Sequence, residues 1–250
     1  MSIMENGYIL YQGPSLLNGE NIVVIATGFI TGSGNRKTGM MVQTYILGTE
    51  SEPHVAVANG TDDTICGDCV HRGDKATGRG RSCYVQVGQG PLNVYRAWKR
   101  GRYPLMLDMS PFANRKVRFG AYGDPAAAPA KLWSDIAKLS DGCTGYTHQW
   151  RTKDLADTCM ASVDSVEEAE EASALGYRTF RVTLEQQDKN RLSHEVVCPA
   201  SEEAGKKLMC FQCMACNGNV KNTKSGIVIN VHGNGAHRSN ARKIPIAIAA

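Results

Sequence analysis

The sequence predicts an α/β protein built as a partial (β/α) barrel or an open parallel sheet, with a β-rich N-terminal segment and a C-terminal extension that carries cysteines. Three observations predict it. Between residues 116 and 183, short β-branched runs alternate with stretches of helical periodicity. The residues before 60 hold β-branched runs separated by Gly, Pro and Asn, without helices between them. Seven of the nine cysteines fall into two groups, one opening the alternating region and one closing it. Repeated strand–helix–strand units imply parallel strands, and parallel sheets present their chemistry at the carboxyl ends of those strands. The segments so defined are 1–60, 61–190 and 191–250.

In the first segment, Tyr8-Ile9-Leu10-Tyr11, residues 21–27, residues 40–47 and His54-Val55-Ala56-Val57-Ala58 all read as strands, most simply paired antiparallel. The loop 31–39 is Gly-rich and ends in Lys37-Thr38, but Arg36 stands where a phosphate-cradling loop needs Gly, and the residues after Gly39 are β-like. An exposed hairpin loop with Arg36 and Lys37 on its surface is the better reading. Residues 91–102 have helical spacing through Leu92, Tyr95 and Trp98, with Arg96, Lys99, Arg100 and Arg102 around them. A strand over 116–122 then stops at Gly123-Asp124-Pro125, a helix covers 129–139, and 144–148 and 159–163 are further strands. The acidic stretch 165–175 is a capped helix ending at Gly176, and 179–183 is another strand. After a polar segment and the second cysteine group, residues 226–231 form a closing apolar strand, followed by a basic tail over 237–243 with His232 and His237 as weak metal candidates.

Composition narrows the function classes. The formal charge of +4 is modest, so bulk electrostatics do not argue for nucleic acid, although local basic patches at 72–81, 96–102 and 237–243 allow contact with it. No secretory signal and no membrane-spanning apolar run is evident, so the expected location is the cytoplasm, with no membrane partner. In that reducing compartment closely spaced thiols favour metal ligation or redox chemistry over structural disulfides, and an odd number of cysteines cannot all pair.

Cys210-x-x-Cys213-x-x-Cys216, with Cys198 as the natural fourth ligand, is a strong metal pattern. Two consecutive two-residue intervals suit iron–sulfur ligation better than a zinc ribbon, with zinc as the alternative. The earlier group joins Cys66-x-x-Cys69 to Cys83 across a thirteen-residue interval that is Gly-rich and basic. Three thiols imply an open coordination position or a fourth ligand such as His71. Cys143 and Cys159 sit beside strands and read as small core residues. Asp124, His148 and Asp164 each fall at the end of a predicted strand, which points to a shared mouth, although Asp124 and Asp164 are also good helix-cap residues.

Two resemblances extend this reading. Asn35-Arg36-Lys37-Thr38-Gly39, Cys66-Gly67-Asp68-Cys69, Cys83-Tyr84-Val85, Phe119-Gly120-Ala121-Tyr122-Gly123-Asp124-Pro125, Thr144-Gly145-Tyr146-Thr147-His148-Gln149-Trp150, Met160-Ala161-Ser162-Val163-Asp164 and Cys198-Pro199-Ala200-Ser201 resemble a family of uncharacterised phage and prophage proteins, which brings no established activity. More distantly, three cysteines ahead of a partial barrel, the last followed by an aromatic residue, are similar to radical S-adenosylmethionine enzymes. That resemblance implies a [4Fe–4S] cluster on Cys66, Cys69 and Cys83, with S-adenosylmethionine bound near Gly123 and Asp124 and an auxiliary cluster on the later thiols. It also implies His148, Asp164 and Arg181 facing an unknown small or macromolecular substrate, although burial makes a salt bridge the simpler use of Arg181. The intervals depart from that family's pattern. The rival expectation is a non-enzymatic zinc protein that contacts nucleic acid or a host protein.

Overall fold

The computed structural model describes residues 4–74, 76–152, 155–183, 191–201, 204–205, 208–219 and 225–231. His232, His237 and the basic tail lie outside them. Among the described residues two five-stranded sheets carry the fold. The chain enters through an antiparallel meander of β1 (Gly7–Pro14), β2 (Asn21–Thr27) and β3 (Val42–Gly48). Ile22, Val23, Val24, Ile25 and Ala26 of β2 are all buried, as expected for a β-branched strand covered on both faces. β3 turns the sheet from antiparallel to parallel. It pairs with β4 (Val117–Tyr122), which pairs with β5 (Cys143–Thr144).

The crossover from β3 to β4 holds α1 (Pro53–Asn59), α2 (Asp63–Cys66) and α3 (Gly90–Lys99). The strand expected over His54–Ala58 is therefore a helix. Pro53 at its first turn and Gly60 in the left-handed conformation after its end outweigh the alternating Val and Ala side chains. The basic face of α3 is partly spent: Arg96 makes a two-pronged contact with Glu52 at 2.8 and 3.1 Å, and the Lys99 ammonium lies 4.7 Å from the Trp98 ring centre. Between β4 and β5, α4 (Ala130–Leu139) buries Trp133, whose indole N–H donates to the Pro125 carbonyl at 2.8 Å.

At Gly145 the extended run leaves the first sheet and enters the second as β6 (Tyr146–Thr147). β7 (Met160–Val163), α5 (Val166–Ala174) and β8 (Thr179–Thr183) follow as a strand–helix–strand unit. Ser165 caps α5 by accepting the Glu168 N–H, and Glu167 and Glu168 place negative charge at its positive end. β9 (Glu195–Val197) and β10 (Gly226–Asn230) complete a wholly parallel sheet in the order β6-β7-β8-β10-β9.

Arg181 of β8 reaches across β10 to Glu195 of β9, making bonds of 2.7 and 2.6 Å with both side chains buried. Gly226 makes room for this crossing, because a Cβ there would stand 2.6 Å from Thr179 Oγ1 and 3.4 Å from Glu195 Cγ. Arg181 is thus a structural tie within the second sheet. One apolar core runs from Leu10 to Tyr177, so the meander and the α/β units share an interior. Among the described residues no helix is long and apolar enough to cross a membrane.

Candidate functional site

The carboxyl ends of β4, β6 and β7 meet at one mouth, carrying Asp124, His148 and Asp164 in turn. Gly123 opens the turn after β4 with φ of 80°, and a Cβ there would stand 2.7 Å from Ile46 Cβ, so the position excludes a side chain on both counts. Asp124 is buried and accepts the backbone N–H of Ala126 at 2.9 Å and of His148 at 2.7 Å. Burial raises its pKa against the pull of His148 and these hydrogen bonds, to which the Thr147 side chain adds another. Asp124 therefore fixes the main chain that presents His148.

The thiol loop is brought to this mouth by contacts spread along its length. α2 ends at Cys66, and the short 3-10 turn Val70–Arg72 follows Cys69. Arg72 grips Asp62 at 3.1 and 2.8 Å and also donates to the Gly60 carbonyl, tying the two sides of the Cys66–Cys69 turn together. The long interval folds back on itself. Asp74 pairs with Arg79, and the His71 carbonyl accepts the N–H groups of Ser82 and Cys83 at 3.1 and 3.0 Å. Arg81 then donates to the Cys83 and Val85 carbonyls. Arg72 and Arg81, read from sequence as part of a basic patch, face inward and shape the loop. Gln149, next to His148, anchors it from below by donating to the Cys66 carbonyl at 3.3 Å and to Asp68 at 2.7 Å.

The three sulfurs lie within one another's electrostatic reach. Burial, followed by charge on Cys69, Asp62, Cys83 and Asp124, pushes the Cys66 thiol well above its ordinary range. Burial takes Cys69 to about 11 despite the opposing pull of His71. Cys83 is raised by burial, with Arg81 opposing. The buried Tyr122 hydroxyl feels Cys66, Asp62 and Cys83 and has no hydrogen-bond partner among the described residues. All nine cysteines are free thiols. No family model, curated protein or solved structure matches the chain.

His71 completes the mouth. One ring nitrogen, Nδ1, lies 2.8 Å from Ser82 Oγ, and the other, Nε2, lies 2.9 Å from Asp164 Oδ1. Burial opposes charge on the His71 ring, but the hydrogen bond and charge of Asp164 outweigh it and raise the pKa. Asp164 is shifted the other way: burial works against its carboxylate, and His71 more than compensates, leaving the pKa below the usual range. His148 packs edge-on against His71 with ring centres 5.5 Å apart. Its Nε2 is buried and has no partner among the described residues.

The second thiol group lies beside the middle of the same extended run. Burial raises Cys198, and the charges of Cys210 and Cys213 add to this. Burial also takes Cys216 to about 12 in spite of a hydrogen bond from Tyr146, with Cys198, Cys210 and Cys213 pushing the same way. Cys210 and Cys213 open and close α6 (Cys210–Cys213). That turn is docked by the Cys210 N–H on the Lys37 carbonyl and by Lys116, which donates to the Phe211 carbonyl at 3.0 Å. The buried Arg178 donates to Ala215, Asn217, Gly218 and Ser225 and so holds the chain that follows Cys216. Cys143 and Cys159 are buried in the core, as expected. A cavity of about 280 Å³ beside Phe29, Met40, Lys116 and Phe211 includes none of the strand-end residues.

Proposed function

We propose that the protein is an iron–sulfur enzyme of the radical S-adenosylmethionine type, with Cys66, Cys69 and Cys83 holding the catalytic cluster and Cys198, Cys210, Cys213 and Cys216 holding a second one. The observation that carries this reading is the gathering of three thiols, separated by a long sequence interval, at the carboxyl ends of parallel strands. The donor set fits such a group. Soft thiolates select iron–sulfur clusters and zinc. Around one zinc ion, with Zn–S near about 2.3 Å, three sulfurs stand within about 4 Å of each other. Among the described residues no group of three thiols is drawn in far enough to share a single ion. The unpartnered Tyr122 hydroxyl beside Cys66 and Cys83 supplies a hydrogen-bond donor for a sulfide or a bound cofactor.

A cluster held by Cys66, Cys69 and Cys83 would, once reduced by an external one-electron donor, supply the electron for reductive cleavage of the sulfonium of S-adenosylmethionine. The chain's own residues position and enclose the reactants. Asp124 accepts from Ala126, His148 and Thr147, using three of roughly four lone-pair sites on its carboxylate. The remaining site is the one a cofactor ammonium group would take. Gln149 and Arg72 hold the thiol loop over the mouth, and His71 and Asp164 meet beside it.

The test is anaerobic purification followed by iron, sulfide and zinc analysis, then reduction in the presence of S-adenosylmethionine. The expected result is brown protein with iron and sulfide and formation of methionine and 5′-deoxyadenosine. Cleavage is expected to be lost in the Cys66→Ser/Cys69→Ser/Cys83→Ser variant, while the second site keeps its iron. Zinc at full occupancy of both thiol groups, without iron, overturns the proposal in favour of a zinc protein.

A further inference from the structure

We propose that His71, His148 and Asp164 form a separate binding site for a single divalent first-row transition metal ion, a two-histidine, one-carboxylate site at the strand-end mouth. One ligand atom from each lies within 4.8 Å of the other two. Ligand atoms that share one ion at about 2.1 Å lie no more than about 4.2 Å apart, so less than about 1 Å of closure brings all three onto a common ion. The three residues come from three places in the sequence: the base of the folded-back thiol loop, the end of β6 and the end of β7.

The independent observation is His148 Nε2. Its atom is buried, yet it has no hydrogen-bond partner among the described residues. A buried polar atom without a partner is costly to retain, so a site that keeps one points to a ligand there. The edge-on contact with the His71 ring explains where the His148 ring packs but leaves that nitrogen unused. The surroundings have the character of a supporting shell. Ser82 Oγ engages His71 Nδ1, Asp124 holds the His148 backbone, and Glu168 accepts the Asp164 N–H, so each ligand is oriented by a neighbour. Imidazole with carboxylate suits iron(II), zinc, cobalt(II) or manganese(II), and three protein ligands leave positions open to water or a substrate oxygen. The site does not rest on the cluster reading, because it uses none of the cysteines.

Manganese(II) is the probe, because thiolates compete poorly for it. The full chain is titrated with Mn(II), following loss of the free-ion electron paramagnetic resonance signal and the appearance of nitrogen modulation from imidazole. The expected result is one equivalent bound with two nitrogen couplings. Affinity is expected to fall at least tenfold in His148→Ala and in Asp164→Asn, and about 10- to 100-fold in Ser82→Ala through loss of the supporting bond. The Cys66→Ser/Cys69→Ser/Cys83→Ser variant is expected to bind within threefold of the parent chain. Absence of stoichiometric binding, binding without nitrogen coupling, or binding that survives His148→Ala or is lost with the thiols overturns the site. If His148→Ala fails to fold, His148→Gln and the nitrogen modulation of the unmodified chain decide the matter.

Discussion

Replacing Arg181 by Met keeps the aliphatic length of the side chain and removes the guanidinium that faces Glu195. In the intact protein the pair is buried, 2% and 0% exposed, and joined by bonds of 2.7 and 2.6 Å that tie β8 to β9 across β10. In the variant the Glu195 carboxylate stays buried, with the Leu192 N–H still donating to it at 2.9 Å. Removing one partner of a buried pair costs about 3–5 kcal/mol, because the remaining charge has lost both water and counter-charge. For a chain of this size each kcal/mol moves the midpoint by roughly 2–4 °C, so a fall of about 6–20 °C is expected. Substituting both residues with apolar side chains, Arg181→Met with Glu195→Leu, removes the stranded charge and is expected to recover most of the loss. Urea and thermal unfolding followed by circular dichroism give both numbers. A single variant that loses less than about 1 kcal/mol, or a double variant no more stable than the single, refutes the tie across the sheet.

Two further outcomes test the site. Because burial holds Cys69 near 11 and Cys66 and Cys83 above their ordinary range, these thiols carry protons at pH 7.5. Loading them with Zn(II) as a probe should release close to one proton per ligating thiol, with affinity rising as pH rises. Ionising Cys69 alone at pH 7.5 costs about 5 kcal/mol. Calorimetry in two buffers of different ionisation enthalpy measures the release, taken as the difference from the Cys66→Ser/Cys69→Ser/Cys83→Ser variant, and release well below one proton per thiol contradicts the description. Gln149→Ala removes the bonds to the Cys66 carbonyl and Asp68. It is expected to cost about 1 kcal/mol and to speed amide exchange in residues 66–72 about fivefold, while exchange in β2 stays unchanged. Unaltered exchange in the loop shows that Gln149 does not anchor it.

The legible part of this fold was its repetition. β-branched runs marked β2, β8 and β10, and cap residues placed α5, because those signals are local. At 54–58 the Val–Ala alternation is compatible with strand or helix, and the flanking Pro53 and Gly60 resolve it as helix. Strand-end position was enough to suggest that Asp124, His148 and Asp164 share a mouth. It did not say that Asp124 spends its oxygens on backbone N–H groups while Asp164 meets His71. Nothing local in the interval from Cys69 to Cys83 shows that it returns on itself, since that depends on the His71 carbonyl receiving two N–H groups from beyond the loop. For the same reason Tyr122, Ser82, Gln149 and Arg178 carried no sequence signal. Their roles exist only through partners distant in the chain.

The run from Cys143 to His148 touches both sulfur sites. The Gly145 N–H donates to the Cys216 carbonyl, and the Tyr146 hydroxyl bonds the Cys216 sulfur, while His148 stands in the mouth of the first site. From Tyr146 to His148 is about 7 Å of strand. The chain at Cys216 therefore serves as a footing for the strand end that carries His148. If the thiols at 198–216 hold a metal as proposed, filling that site would brace the strand end from which His148 projects.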